Sequence, residues 1–214
     1  MSDIFREIDE ELRRENFAKL WQRYGKYVIA LAVLLVIGTA LVVGWREYQV
    51  QLQQSAGVRY AAALDLVAQG KDKAAADAFA ALANDAKGGR AVLARFEEAA
   101  LRAKGEDTPA AIALYNGIAQ DGSLPSVYRD LATLLAARLA LDHGDPKAVI
   151  AQLQPLTDGA NAWHPTALEL TALAQLKSGD KAAARATYQK LADDLNSPTG
   201  LRARAAEMVA ALGS

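Results

Sequence analysis

The sequence predicts an all-α protein in which a single N-terminal transmembrane helix precedes an α-solenoid of about four helix pairs and a C-terminal capping helix. Three observations predict this fold class. The 214 residues include 47 alanines and only 6 prolines, a composition typical of long helices. Residues 27–45 form an apolar run without a charge. In the rest of the chain, glycines recur every 34 to 39 residues, which indicates stacked repeats.

The composition excludes several kinds of function. The chain has 24 Lys and Arg and 25 Asp and Glu residues, which give a formal net charge of -1. It therefore lacks the excess of positive charge that is typical of nucleic-acid-binding proteins. Cysteine is absent, which excludes disulfides, thiolate metal sites and a cysteine nucleophile. The two histidines, His143 and His164, are too few for a multi-histidine metal site. We therefore expect no cofactor, no metal and no small-molecule substrate.

Residues 1–26 are a short charged segment whose apolar positions recur mostly every three to five residues. This spacing predicts an amphipathic helix. Such a helix lies on the inner face of a membrane or contacts a cytoplasmic partner, and the sequence leaves both roles open. The apolar positions are Ile4, Phe5, Ile8, Leu12, Phe17, Leu20, Trp21 and Tyr24.

Residues 27–45 are predicted to cross a membrane as one helix. A helix of this length spans roughly 28 Å, which is close to the thickness of the hydrocarbon core of a bilayer. Aromatic residues cluster at both ends of the run, as is typical of the two membrane–water interfaces. The residues expected at these interfaces are Trp21, Tyr24, Tyr27, Trp45 and Tyr48.

The charges that flank the span predict its orientation. Five cations lie within 15 residues before it, whereas only Arg46 and Arg59 lie within 20 residues after it. The positive-inside rule therefore places the N-terminus in the cytoplasm and residues 46–214 in the periplasm, with the span in a bacterial inner membrane. A bulky sequence, rather than a small-residue cleavage site, follows the span, so we expect an uncleaved anchor.

Residues 46–57 are predicted to link the span to a repeat domain over residues 58–214. The segments before each recurring glycine contain no internal proline or glycine, so we expect helix pairs that begin near residues 58, 90, 126 and 164. A final helix over about 199–212 is expected to cap the stack. One helix pair cannot hide its apolar face alone, whereas stacked pairs bury a continuous core.

The register of the repeats is predicted by aligning the chain on Gly70, Gly105, Gly144 and Gly179, each of which is expected to end a first helix. A small or β-branched residue falls five positions after each glycine and a larger one falls nine positions after, on the same helix face. On second helices, the expected buried positions are Ala75, Ala110, Val149 and Ala184 with Phe79, Leu114, Leu153 and Tyr188. They are Leu93, Ala132 and Ala167 on first helices and Leu201 on the final helix.

No catalytic constellation occurs in the sequence. Nucleophile-elbow, zinc-protease and phosphate-loop motifs are missing, and the neighbouring carboxylates Glu97 and Glu98 point to different sides of a helix. We therefore expect no enzymatic activity.

The candidate binding surface is a concave groove lined by first helices. Its candidate partner-binding residues are Arg95, Arg138 and Glu169, for which ordinary surface charge is the alternative reading.

The residues Gly179, Asp180, Ala184, Tyr188 and Leu191 resemble the second helix of a tetratricopeptide repeat, although the first helices depart from the consensus. The order of a charged N-terminus, a Tyr-Gly-Lys, a span ending in GWREYQ and an Ala-rich repeat region resembles the ancillary SecYEG translocon subunit family (YfgM-like). This resemblance implies a single-pass inner-membrane protein with periplasmic repeats. It also implies two protein partners, the SecYEG translocon and a membrane-anchored periplasmic chaperone of the prolyl-isomerase type.

Two function hypotheses remain open at this point. The first, implied by the resemblance, is a non-enzymatic protein–protein interaction adaptor of the inner membrane. It would associate with the translocon and periplasmic chaperones and help hand over secreted proteins. The second is a structural or assembly subunit of another membrane complex, of the respiratory or cytochrome-maturation type, in which the span makes the main contact. Contact with the lipid bilayer is expected through residues 27–45 in both cases.

Overall fold

A computed structural model of the chain describes residues 2–85, 88–159 and 161–213, and all regular secondary structure in these ranges is helical. The chain forms two compact units, residues 1–55 and residues 56–214. The helices of the described part are α1 (Ser2–Ala68), α2 (Asp72–Asp85), α3 (Gly89–Lys104), α4 (Thr108–Gln120), α5 (Ser126–His143), α6 (Pro146–Thr157), α7 (His164–Lys177), α8 (Lys181–Asp193) and α9 (Thr199–Leu212).

The first unit consists of the N-terminal part of α1. Among the described residues, α1 is the one helix whose length and apolar composition would allow it to cross a membrane. The hydroxyl group of Thr39 donates to the carbonyl oxygens of Leu35 and Val36, both at 2.9 Å, so the helix itself satisfies this polar group. The side chains of residues 1–20 lie outside the described part of the structure, and the predicted amphipathic face stays a prediction.

The predicted linker over residues 46–57 is helical and continuous with the rest of α1. The last part of α1, from Ala56 to Ala68, belongs to the second unit. There Ala63 is buried, and the ring of Tyr60 meets the ring of Phe79 from α2 edge-on, with 5.2 Å between the centroids. The end of α1 therefore serves as the first helix of the first pair.

The second unit is a stack of helix pairs. Each helix from α2 to α8 packs against the next helix in the chain. In the described residues, the core consists of four apolar clusters, and each cluster joins both helices of one pair to the first helix of the next pair or to α9. Every pair thus buries its apolar face with the help of its neighbour. The predicted all-α fold, with a solenoid and a capping helix, is confirmed.

The predicted repeat register is correct for the second helices of the first, third and fourth pairs, whose predicted positions are all buried. In the second pair the prediction is wrong by one residue. There Ala111 and Tyr115 are buried, in place of the predicted Ala110 and Leu114. On the first helix of this pair, Leu93 is 48% exposed and was wrongly expected to be buried.

A residue with left-handed backbone explains this shift. Gly70 and Gly179 have φ angles of 73° and 85°, whereas Gly105 has a φ of -82° and the next residue, Glu106, has a φ of 65°. Glu106 therefore occupies the position that glycine holds in the first and fourth pairs. Glycine is usual there because a Cβ atom clashes with the backbone in this conformation. Alignment on Gly105 consequently displaces the whole second pair by one residue.

Candidate functional site

The first helices of successive pairs lie next to one another. In addition to the contacts between consecutive helices, α5 packs against α7, and α7 packs against α9. We call the outward surface of α3, α5, α7 and α9, together with residues 56–68 of α1, the first-helix face. The predicted partner-binding residues Arg95, Arg138 and Glu169 belong to α3, α5 and α7 respectively.

Two of these three residues form ion pairs within the chain. An Nη1–H group of Arg95 donates to Oδ2 of Asp121, just after the end of α4, at 3.1 Å. The carboxylate of Glu169 accepts hydrogen bonds from Nε and Nη2 of Arg204 at 2.9 to 3.2 Å, which joins α7 to α9. Paired donors on one guanidinium fix the geometry of a carboxylate contact. Both ion pairs therefore contribute to helix packing, whatever else these residues bind.

Arg138 differs from the other two candidates. Its side chain is exposed on α5 and makes no hydrogen bond or ion pair with another described residue. A planar guanidinium of this kind is suited to a carboxylate of a partner molecule. No hydrogen bond or ion pair among the described residues connects Arg138 with Arg95 or Glu169. The role of the three residues in partner binding stays a prediction.

Polar contacts between successive first helices join residues that lie 35 to 37 positions apart in the sequence. The Tyr60 hydroxyl donates to Oε1 of Glu97 at 3.2 Å, which joins α1 to α3. The Lys177 ammonium lies 3.3 Å from Oδ1 of Asp142, which joins α7 to α5. The contact between α7 and α9 has the same spacing. These contacts were not predicted, although the repeat period of the glycines was the signal that could have revealed them.

Burial and hydrogen bonds shift the pKa values of several groups on the second unit. Hydrogen bonds from the side chain and backbone of Ser123 lower the pKa of Asp121, and Arg95 adds to this effect. Burial raises the pKa of the phenols of Tyr115 and Tyr188. All these shifts move the pKa away from neutral pH. In the residues that the structure describes, no cluster of three His, Asp or Glu side chains is placed to hold a metal ion.

The aromatic residues predicted for the membrane interfaces are exposed on α1. The guanidinium of Arg23 lies 5.9 Å from the ring centroid of Tyr24, and the ammonium of Lys26 lies 5.1 Å from that of Tyr27. Such cation–π pairs keep a positive charge close to an amphipathic ring. Their place at a membrane surface stays a prediction. The exposed aromatic residues are Trp21, Tyr24, Tyr27, Trp45 and Tyr48.

A cleft lies between the loop that joins α6 to α7 and the loop that joins α8 to α9. Its volume is about 1170 Å³. Nδ1 of His164 lies 3.2 Å from the carbonyl oxygen of Leu156 at the end of α6. We call this feature the loop cleft. Sequence reasoning did not predict it, because it depends on how two loops of different pairs approach each other. It is lined by Thr157, Asp158, Gly159, Asn161, Ala162, His164, Pro165, Leu168, Lys190, Asp194, Asn196 and Pro198.

Two comparisons with known proteins identify the family of this chain. The family model for the tetratricopeptide repeat-like domain matches residues 18–208. The ancillary SecYEG translocon subunit of Escherichia coli (strain K12) is 30% identical over 166 residues, which cover 75% of this chain and 77% of that protein. Both findings agree with the stack of helix pairs described above and confirm the predicted resemblance. The chain belongs to the tetratricopeptide repeat-like family that includes the ancillary SecYEG translocon subunit.

Proposed function

We propose that the protein is a non-enzymatic adaptor of the bacterial inner membrane, which associates with a SecYEG-type translocon and helps hand secreted proteins over to periplasmic chaperones. One observation carries the proposal. A single chain combines an apolar helix long enough to span a membrane with a solenoid of stacked helix pairs, in a family whose Escherichia coli relative is a translocon subunit.

The architecture of the second unit supports binding of polypeptides. Stacked helix pairs present an extended surface, which suits a protein partner better than a small molecule. On this surface Arg138 offers a charge that no described residue of the chain pairs with. An apolar helix that holds such a surface at the membrane would raise the effective concentration of partners near the translocon.

We also propose the topology that the sequence predicts. Residues 1–26 would lie in the cytoplasm, residues 27–45 would cross the inner membrane, and residues 46–57 would lead to periplasmic repeats over residues 58–214. The excess of cations before the span and the exposed aromatic residues at both of its ends support this arrangement.

Photo-crosslinking in native membranes tests the adaptor function. A photoreactive amino acid replaces Arg138 on the first-helix face, and adducts are identified by mass spectrometry. We expect adducts with translocon subunits or a periplasmic chaperone. The matched control carries the same amino acid in place of Ala186, which is exposed on the second helix α8. Identical adducts from both positions, or none from position 138 in an intact protein, would count against the proposal.

The exposed apolar side chains of α1 favour a second candidate function. A subunit of another membrane complex could dock through residues 27–45, because those side chains are not buried within the chain. Replacing this segment with an unrelated transmembrane sequence separates the two functions. An adaptor that acts through its repeats would keep its crosslinks at position 138, whereas a subunit docked through its span would lose them.

A further inference from the structure

Each second helix of the solenoid ends at or just before an aspartate. These aspartates are spaced by 36, 37 and 36 residues along the chain. A negative charge at the C-terminus of a helix is unfavourable in the field of the helix dipole, so a nearby cation is stabilising there. The four residues are Asp85, Asp121, Asp158 and Asp194.

The first two pairs supply that cation from within the chain. Arg59 pairs with Asp85 at 3.0 Å, and Arg95 pairs with Asp121 at 3.1 Å. In both cases the arginine lies 26 residues before the aspartate, on the first helix of the same pair. In the first two pairs, the aspartate at the end of the second helix therefore binds a guanidinium group of the same chain.

The last two pairs lack the arginine. In the register of the buried positions, Arg59 and Arg95 lie 16 residues before Ala75 and Ala111. The corresponding positions before Val149 and Ala184 hold Thr133 and Leu168. Within the part of the chain that the structure describes, neither aspartate forms an ion pair with a lysine or an arginine. Asp158 accepts a hydrogen bond from Nε2 of Gln154 at 3.3 Å. Asp194 accepts hydrogen bonds from Ser197 and Asn196, which hold the loop before α9.

Both of these aspartates line the loop cleft. Its one further fixed charge is Lys190, so the lining has a net charge of -1 when His164 is neutral. Apolar atoms of Leu168 and two prolines contribute to the walls, and Leu195, in the loop beside the cleft, is 80% exposed. The cleft thus combines apolar surface with two carboxylates that form no ion pair with a lysine or an arginine among the described residues, in a volume of about 1170 Å³.

We propose that the loop cleft binds an arginine-bearing segment of a partner polypeptide with apolar residues beside the arginine. The guanidinium of the partner would pair with Asp158 and Asp194 at the ends of α6 and α8, as Arg59 and Arg95 pair with Asp85 and Asp121 at the ends of α2 and α4. The apolar neighbours would cover Leu195 and the walls of the cleft. This inference rests on the proposed protein-binding function and specifies the chemistry of one partner segment.

Peptide binding to the full-length protein in detergent micelles tests the inference. The probe is a fluorescein-labelled peptide with blocked ends and the sequence Gly-Ser-Leu-Arg-Leu-Ser-Gly, followed by fluorescence anisotropy. The combined variant Asp158→Asn and Asp194→Asn should weaken binding by about fivefold, as expected for partly exposed charge pairs. Lys190→Gln should strengthen binding by about twofold, because it removes a repulsive charge from the cleft. Replacing the arginine of the peptide with glutamine should abolish the response to these variants.

The control variant removes two negative charges elsewhere. Asp65→Asn combined with Glu207→Gln changes exposed carboxylates outside the cleft and should leave the affinity unchanged. Asparagine at position 194 keeps an oxygen that accepts from Ser197, and the single change Asp158→Asn avoids that loop altogether. Equal binding by wild type and the cleft variants, or weaker binding by Lys190→Gln, would overturn the inference. The crosslinks at position 138 report on the adaptor function separately, so either proposal can fail without the other.

Discussion

In three of the four helix pairs, the turn inside the pair contains one residue with left-handed backbone. Glycine fills this position at Gly70 and Gly179, where φ is 73° and 85°. Gly144 is needed for another reason, since a Cβ atom there would lie only 2.8 Å from the carbonyl oxygen of Ala140. In the second pair, Glu106 takes a φ of 65° and carries the strain that glycine avoids. The left-handed backbone of Glu106 therefore lowers the stability of the second unit.

Replacing Glu106 with glycine should stabilise the second unit. We expect Glu106→Gly to raise the free energy of unfolding by about 1 kcal/mol, because the left-handed strain is relieved, and Gly179→Ala to lower it by about as much. Urea unfolding followed by circular dichroism measures both changes. Gly105→Ala is the control and should have little effect, since its φ of -82° suits any residue. A decrease in stability for Glu106→Gly would contradict this account of the turn.

At the scale of whole helices, alanine sets how closely neighbouring pairs approach. The cluster between the second and third pairs includes Ala99, Ala132 and Ala136, all with no exposed surface, around the larger Tyr115 and Ile118. Because protein cores are close-packed, helices that meet at alanines lie so close together that a larger side chain would not fit between them. The high alanine content is therefore required by the packing between helices, in addition to its intrinsic preference for helix.

Two adjacent alanines on α3 test this requirement. Ala99 is fully buried, whereas its neighbour Ala100 is exposed. We expect Ala99→Leu to lower the free energy of unfolding by about 1 to 3 kcal/mol, because the larger side chain overfills the contact with α4 and α5. Ala100→Leu adds the same atoms in the same helix and should change stability by less than about 0.5 kcal/mol. Similar urea midpoints for both variants would show that the contact is not tightly packed.

At the scale of the whole molecule, the proposed function requires the two units to lie in different environments. The first unit offers an apolar helix without internal burial, and the second offers a solenoid with its own continuous core. The absence of cysteine from the sequence makes sidedness directly measurable, because an introduced cysteine is the only thiol. The predicted orientation can therefore be tested with single substitutions.

Cysteine labelling should show that positions 2 and 186 lie on opposite sides of the membrane. In intact spheroplasts, a membrane-impermeant maleimide should label Ala186→Cys, since α8 would face the periplasm and this position is exposed. Ser2→Cys should react only after the cells are lysed, because the N-terminus would lie in the cytoplasm. The reverse pattern would contradict the topology and, with it, the proposed handover of secreted proteins.

Local patterns were enough to predict most of the architecture. Hydropathy and glycine spacing predict the uncharged run at residues 27–45, the helix pairs and the capping helix, because both signals lie in the order of residues along the chain. The register of the second pair was not readable, since Gly105 and Glu106 can each end a helix and only the backbone shows which one is left-handed.

Tertiary structure decided which charged residues are engaged and which are not. Arg95 and Glu169 looked alike in the sequence as groove residues, yet each pairs with a residue 26 or 35 positions away, whereas Arg138 has no such partner among the described residues. The loop cleft likewise exists only because two loops from different pairs meet. Contacts of this range depend on how helices pack and on the register between repeats, and neither is contained in the periodicity of a single helix.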